Sequence, residues 1–182
     1  MSKTGKRTRE LDFEVAIEAW LVGEGGYVKA DRGRFDARLG LDAQTLLAFL
    51  KESQAQTWRK LASSYGASVE QEVVKRIASE CDARGLLDVL RNGVRDRGQT
   101  LRLAYFRPPT SLNPDTERRY GQNRLTVMRQ VAYDLDSQRT IDMLLSLNGL
   151  PIATVELKNA FTGQRSIHAI KQYIKKRVPT RK

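Results

Sequence analysis

Two acidic residues and one lysine near the end of the chain have the types and spacing of a metal-dependent hydrolytic site. Asp142 lies 14 residues before Glu156, and Lys158 follows Glu156 by two residues. Two carboxylates held close together repel unless a cation lies between them, and hard oxygen ligands favour Mg²⁺. A lysine beside them can orient the attacking water and neutralise charge that develops on a scissile phosphate. The trio therefore predicts metal-assisted phosphodiester hydrolysis, with Asp142 and Glu156 as metal ligands.

Two predicted strands position these side chains. In strand 140–147, alternation turns Asp142 to one face, and in strand 151–158 it turns Glu156 and Lys158 to one face. The apolar residues alternate with them, so we expect the apolar faces of both strands to meet in one core. Charged residues in strands that otherwise favour burial are typical of functional sites.

The connection between the two strands decides whether the acids meet. It contains Asn148-Gly149, a strong signal for a hairpin turn. Opposed residues of an antiparallel pair point to the same face, so Asp142 and Glu156 share a face only across a loop with an odd number of residues. We therefore predict a three- or five-residue connection. A two-residue turn would count against the site.

The remaining pattern predicts a mixture of helices and strands in one domain. We predict a flexible basic arm over residues 1–9 and a nuclease domain over 10–182. The predicted helices cover 10–22, 42–60, 68–83 and 164–177, with Asp42 as the cap of the second. Further strands are predicted over 86–90, 101–106 and 125–133, with an irregular loop over 107–120. This order indicates an α/β fold with a mixed central sheet flanked by helices.

The charge balance points to a polyanionic partner. Thirty-two Lys and Arg against 21 Asp and Glu give a formal net charge of +11, which suits nucleic acid, although an anionic membrane surface or a ribosomal site would also fit. Residues 159–182 contain no acidic residue. The basic residues that we assign there to DNA binding are Arg165, Lys171, Lys175, Lys176 and Arg177. The alternative for this segment is a solvated helix face and a frayed tail.

The residue inventory excludes several other classes of protein. One Cys and one His cannot build a Cys-His zinc site, and a single Cys cannot form an internal disulfide. His168 lies among isoleucines, which favours packing or DNA contact over catalysis. No apolar run approaches the length of a membrane span and no secretory leader is present, so we expect a cytoplasmic protein with no membrane partner.

A longer run around the acidic residues resembles a known family. Residues 141–159 contain an N-G-L-P turn followed by a V-E-L-K-N strand. This run resembles the nuclease segment of the restriction (R) subunit of type I restriction-modification enzymes. Shorter resemblances to the same family extend it over nearly the whole chain: Phe13-Glu14, Gly26-Tyr27, Asn123-Arg124-Leu125, Arg129-Gln130, Thr162-Gly163-Gln164, His168-Ala169-Ile170 and Gln172-Tyr173.

The resemblance implies a fold, an activity and partners. It implies a restriction-endonuclease-like core of the PD-(D/E)xK superfamily at the N-terminus of a larger ATP-driven DNA translocase. Its substrate would be double-stranded DNA, and its partners the methyltransferase and specificity subunits of a type I complex. This chain contains no G-x-x-x-x-G-K-[ST] loop, so ATP would serve only the full-length subunit. We therefore expect a fragment of a longer subunit, with weak or no cleavage alone.

The resemblance also implies roles for individual residues. Asp142 and Glu156 would hold Mg²⁺ and Lys158 would serve the nucleophile. Glu14 matches an additional acid of the family, although Glu10 and Glu18 offer the same helix face. Gln172 is our choice for the glutamine that follows on the next helix, with Gln164 as the rival.

The chain departs from the family pattern at two positions. Lys176 stands where a Q-x-x-x-Y version of the glutamine motif would have tyrosine, and Ile141 stands where the superfamily name has proline. The first departure puts the choice of glutamine in doubt, and the second is at a commonly relaxed position.

Two other functions remain open from the sequence. One is a stand-alone nuclease of the same fold that cuts branched DNA, as a resolvase does. The other is a non-catalytic basic module for DNA binding or assembly, in which the acids are vestigial.

Overall fold

The computed structural model describes residues 3–110, 112–134, 139–157 and 174. Its helices are α1 (Lys3–Gly23), α2 (Ala43–Ser53), α3 (Ala55–Tyr65), α4 (Val69–Arg84), α5 (Leu86–Asn92) and α6 (Pro114–Gly121). Its strands are β1 (Val28–Lys29), β2 (Val94–Asp96), β3 (Gln99–Leu101), β4 (Leu125–Ala132), β5 (Thr140–Leu147) and β6 (Leu150–Val155). Within these ranges, no helix combines the length and apolar character needed to cross a bilayer.

Four strands form one mixed sheet with the order β1-β4-β5-β6. The short strand β1 runs parallel to β4, whereas β5 is antiparallel to both of its neighbours. Strands β2 and β3 form a separate antiparallel hairpin. The predicted α/β class, with a mixed central sheet and flanking helices, is therefore confirmed, and the architecture is consistent with a nuclease-like core.

The central strands are buried on both faces. Val127 and Met128 are neighbours in β4 and both are buried, as are Met143 and Leu144 in β5. Continuous burial of this kind is typical of strands covered on both sides. The expectation of one core is wrong: a large apolar cluster centres on α2 to α5, while Met128, Ile141 and Leu144 belong to a second.

The second predicted helix is divided in two. Asp42 caps α2 as predicted, since its Oδ1 accepts a hydrogen bond from the Thr45 N–H at 3.0 Å. The predicted single helix over 42–60 is wrong, because the backbone leaves helical geometry at Gln54. The side-chain amide of Gln54 makes two hydrogen bonds of 2.8 Å with the backbone of Arg102. This tertiary contact accompanies the break between the two helices. No local sequence pattern predicted the break.

Three further predictions are corrected. The predicted strand 86–90 is helix α5, where Asp88 accepts hydrogen bonds of 2.6 Å from Arg84 and Asn92, four residues away on either side. A short apolar run fits a buried helix as well as a strand. The predicted loop 107–120 contains α6, which Asn113 caps through its side chain and Pro114 begins. The predicted strand 101–106 is wrong, because β3 ends at Leu101 and residues 102–106 form no strand.

The remaining predicted helices can be compared with the structure only where it describes the chain. Helix α1 begins at Lys3, so it extends through most of the segment predicted as a flexible basic arm. Helix α4 agrees with the predicted helix 68–83 to within one residue at each end. The predicted helix 164–177 lies outside the described residues, apart from Ile174. The domain boundary 10–182 stays a prediction.

Candidate active site

Asp142 lies on β5, between β4 and β6. In the β5–β6 pairing Met143 is opposite Val155, and continuing this register by one step places Asp142 opposite Glu156. The Leu157 N–H donates a hydrogen bond of 2.7 Å to Asp142 Oδ2. The structure therefore brings the Asp142 carboxylate to the segment that carries Glu156. Both acidic residues are partly buried, so a bound ion there would be only partly shielded from solvent.

The turn that joins β5 to β6 corrects the predicted loop. Leu147 pairs with Leu150, so the turn contains two residues, Asn148 and Gly149, and not the predicted three or five. Their φ angles of 54° and 84° are those of a tight hairpin turn that requires positive φ at both positions.

A bulge in β6 supplies the odd residue that was predicted in the loop. Ser146 pairs with Pro151, whereas Leu145 pairs with Ala153, so Ile152 has no partner on β5. One extra residue in a strand reverses which face the following side chains occupy. Asp142 consequently lies opposite Glu156 in spite of the two-residue turn. The turn therefore does not place the two acids on different faces of the sheet and does not count against the site.

Gln130 lies opposite Asp142 on the other side, in β4. The pairs Arg129 with Met143 and Val131 with Ile141 flank this position. Gln130 has a φ of 53°, an uncommon value for a residue with a side chain. The Thr140 hydroxyl donates to Gln130 Oε1 at 3.1 Å. Because Thr140 and Asp142 are two apart on β5, the Gln130 side chain reaches the face that carries Asp142.

Glu14 on α1 joins this group through Gln130. Glu14 is 2% exposed, and its Oε1 accepts a hydrogen bond of 2.8 Å from Gln130 Nε2. One turn further along α1, Glu18 pairs with Lys29 and Arg129, each at 3.0 Å. Of the two, Glu14 is therefore the acid connected to the neighbourhood of Asp142, while Glu18 joins α1 to β1 and β4. The side chain of the third alternative, Glu10, is not described.

Arg129 and Gln130 both reach α1 although they are neighbours in one strand. Consecutive side chains of a regular strand point to opposite faces. Here the positive φ of Gln130 accompanies a departure from that rule, so that Arg129 contacts Glu18 and Gln130 contacts Glu14. Gln130 is a neighbour of the site that was not predicted from the sequence. It was marked only by its place in the Arg129-Gln130 resemblance.

Several predicted site residues cannot be placed. Lys158 follows Leu157 directly but lies outside the described residues, as do Gln172 and its rival Gln164. The same holds for the predicted DNA-binding residues, which are Arg165, Lys171, Lys175, Lys176 and Arg177. Their assigned roles stay predictions.

The donor set suits one kind of metal better than another. In the described part of the chain, no group of three or more His, Cys, Asp or Glu side chains could hold an ion. The register instead opposes two carboxylates, Asp142 and Glu156. Mg²⁺ is commonly bound by one or two carboxylates and keeps several waters, whereas Ca²⁺ takes six to eight oxygen ligands. The pair therefore fits Mg²⁺.

The Asn148-Gly149 turn has a structural role next to the site. Asn148 is fully buried, and its side chain bonds the Arg124 N–H at 2.7 Å and the Leu103 carbonyl at 2.9 Å. The Gly149 carbonyl accepts a hydrogen bond from the Asp42 N–H at 2.8 Å. The turn thereby attaches the β5–β6 hairpin to the start of α2. The sequence signal for this position was the Asn-Gly pair itself.

Comparison with known proteins identifies the family. The sequence profile described as type I restriction enzyme R protein N terminus (HSDR_N) matches residues 37–182. The match includes Asp142 and Glu156 but begins after α1, so it does not include Glu14. No curated protein and no solved structure matches the chain. The resemblance found in the sequence is confirmed: the chain belongs to the family of type I restriction enzyme R protein N-terminal regions.

Proposed function

We propose that this chain is a Mg²⁺-dependent endonuclease domain that hydrolyses phosphodiester bonds of double-stranded DNA. The observation that supports it is the register of β5 and β6, which opposes Asp142 to Glu156. The family supports a role in type I restriction, and so does the formal charge of +11, which favours contact with a polyanion. We assign the site to the PD-(D/E)xK class, with Lys158 as its lysine.

Each residue of the proposed site has a separate task. Asp142 and Glu156 hold Mg²⁺, which when bound polarises the phosphate and lowers the pKa of a water ligand. The Leu157 N–H fixes the orientation of the Asp142 carboxylate through the 2.7 Å hydrogen bond. Lys158 orients the attacking water and neutralises charge on the phosphate oxygens. Glu14, held by Gln130, contributes an additional acid, and Gln172 assists from the following segment.

The proposed partners follow from the family and from the motifs that this chain lacks. A type I restriction enzyme is a complex of several subunits that acts on DNA, so we place the methyltransferase and specificity subunits beside this chain. ATP hydrolysis belongs to the motor region of a full-length subunit. The residues proposed to contact DNA after the site are Arg165, Lys171, Lys175, Lys176 and Arg177. We place the complex in the cytoplasm, where its DNA substrate is met.

The test separates metal binding from cleavage. Glu156→Gln and Asp142→Asn are each compared with Glu117→Gln, an exposed acid on α6 that lies outside the proposed site. Calorimetric titration with Mg²⁺ and nicking of supercoiled DNA are measured on the chain alone and with the partner subunits. The proposal expects Glu156→Gln and Asp142→Asn to lose Mg²⁺ binding and nicking while DNA affinity is retained, and Glu117→Gln to retain all three.

Two outcomes would favour the alternatives. Nicking that is unchanged in Glu156→Gln would indicate a non-catalytic DNA-binding or assembly module. Strong cutting of branched DNA by a dimer of the chain alone would indicate a stand-alone nuclease.

A further inference from the structure

A second basic feature lies away from the two acidic residues. A cavity of about 550 Å³ opens between the start of α3 and the extended segment 102–106. Three arginines line it: Arg91 from α5, Arg102 from the extended segment and Arg119 from α6. Among the described residues that line it, none is acidic. The cavity therefore concentrates positive charge from three separate elements.

The charges of the three arginines are not neutralised by neighbouring carboxylates of the described residues. Some other arginines of the described ranges do pair with carboxylates, as Arg34 does with Asp42 and Arg124 does with Glu52. No carboxylate of the described residues lies within ion-pair distance of Arg91, Arg102 or Arg119. Three like charges around one space repel, and an anion in that space relieves the repulsion.

Side-chain amides hold the wall that carries Arg102. Gln54 forms hydrogen bonds with both the N–H and the carbonyl of Arg102, and Asn123 does the same for Tyr105, at 3.1 Å and 2.6 Å. Asn148 then bonds both Asn123 Oδ1 and the Leu103 carbonyl. These side-chain amides make the backbone hydrogen bonds that a neighbouring strand would make in a sheet, and they hold the extended segment in place. Such a wall presents Arg102 with little loss of backbone entropy on binding.

The cavity is separate from the candidate active site but attached to the same sheet. Asn148, which contacts the wall, is at the turn end of β5, whereas Asp142 is six residues away at the other end of the strand. At about 3.3 Å per residue this separation is roughly 20 Å. Each strand of duplex DNA carries one phosphate per about 3.4 Å of helix axis, so roughly six base pairs of one duplex span this separation.

We infer that this cavity binds the backbone phosphates of duplex DNA at a distance from the scissile bond. The identity of the polyanion rests on the proposed function, whereas the anion-binding character rests on the three arginines alone. Guanidinium groups suit this role because they stay charged and bind phosphate oxygens through two N–H groups at once. The contacts carry no sequence information and position the duplex on the domain.

The experiment measures DNA binding without cleavage. A fluorescent 30-base-pair duplex is titrated with the 182-residue chain in EDTA, over a series of salt concentrations, and the dissociation constant is obtained from anisotropy. The test variant is the triple Arg91→Gln, Arg102→Gln and Arg119→Gln. The matched control changes three exposed arginines outside the cavity, Arg38→Gln, Arg59→Gln and Arg95→Gln, so the net charge falls equally.

The salt dependence distinguishes direct phosphate contacts from general charge. Loss of three phosphate contacts is expected to reduce the slope of log affinity against log salt by about 2 to 3, and to weaken binding at least about tenfold. The control is expected to reduce the slope by less than about 1. A triple Arg→Lys variant at the cavity should keep most of the slope, and thermal unfolding should show that all variants fold.

The result that overturns the inference is an equal effect of the two triple variants, or no effect of the cavity variant. Failure of the inference can be told apart from failure of the proposed function. If the cavity variant binds DNA normally while Glu156→Gln loses nicking, the cavity assignment falls and the nuclease stands. If the cavity variant loses its salt slope but the wild-type chain does not nick DNA even with the partner subunits and does not bind Mg²⁺, the nuclease assignment falls and the cavity stands.

Discussion

Gln130 Nε2 donates a hydrogen bond of 2.8 Å to Glu14 Oε1, across 116 positions of sequence. This bond joins α1 to the centre of the sheet at the position opposite Asp142. It forms where Gln130 has a φ of 53°, a conformation that costs about 1 kcal/mol or more for residues other than glycine. Strained backbone of this kind is often found at functional sites.

The strain at Gln130 can be measured by comparing two substitutions. Gln130→Ala and Gln130→Gly both remove the amide, so their difference reports the backbone alone. We expect Gln130→Gly to be more stable than Gln130→Ala by about 1 kcal/mol, because only glycine adopts positive φ without cost. In an ordinary strand the order is reversed. Urea unfolding gives both free energies, and an alanine variant as stable as the glycine variant would contradict the strain.

The two buried acids of α1 should respond differently to loss of charge. Glu14→Gln keeps an acceptor for Gln130, so we expect its stability to change by less than about 1 kcal/mol. Its Mg²⁺-dependent nicking should fall at least about tenfold, because the proposed function uses the charge of Glu14. Nicking assays and urea unfolding are measured on the same preparations.

Glu18→Gln is the control for Glu14→Gln. Glu18 pairs with Lys29 and Arg129, so its neutralisation should cost about 1 to 3 kcal/mol of stability. Nicking at a permissive temperature should stay within about threefold of wild type, a change below 1 kcal/mol in barrier. If Glu14→Gln nicks DNA normally, then Glu14 has only a structural role.

Gly149 should tolerate no side chain. A Cβ at this position would lie 2.4 Å from the Asp42 carbonyl oxygen and 2.8 Å from the Leu46 nitrogen, and the φ is +84°. We expect Gly149→Ala to destabilise the fold by more than about 3 kcal/mol, because backbone atoms must move. Gly98→Ala is the control, since its φ is +73° with nothing within 4 Å. That variant should lose only about 1 kcal/mol, and equal losses measured by urea unfolding would exclude the close approach as the cause.

Cys81 should react slowly with alkylating reagents. Burial, with a further contribution from the Asp82 and Glu80 carboxylates, raises the pKa of its thiol from 9.0 to about 11. Since the thiolate is the reactive form, we expect alkylation by iodoacetamide at pH 8 to be roughly a hundredfold slower than for an unperturbed cysteine. Mass spectrometry follows the reaction cleanly, because the chain has one Cys. Urea should restore the normal rate.

The same thiol gives a pH dependence of stability. The folded state holds the proton more tightly than the unfolded chain, so the stabilising contribution is complete below pH 9 and is lost as the pH rises towards 11. Cys81→Ser should lack this component of the alkaline decrease in unfolding midpoint. An identical decrease in both proteins would show that other groups cause it.

The sequence determined the features that depend on neighbouring residues. The alternation of residues 140–147 predicted the bounds of β5, and the Asn148-Gly149 pair predicted the turn after it. Asp42 predicted the start of α2. Each of these depends on local geometry, because side-chain period, positive φ and helix capping involve residues within a few positions. The same local reading found the two acids and the family to which the chain belongs.

How these parts meet depends on contacts between residues that are far apart in the sequence. Asp142 lies opposite Glu156 because β6 contains one extra residue, the unpaired Ile152. The length of the loop is not the cause. The contact of Gln130 with Glu14 joins residues from opposite ends of the chain. The break at Gln54 accompanies its hydrogen bonds to Arg102. Bulges and long-range hydrogen bonds leave little trace in local pattern, because their free energy comes from groups that approach each other only after the chain has folded.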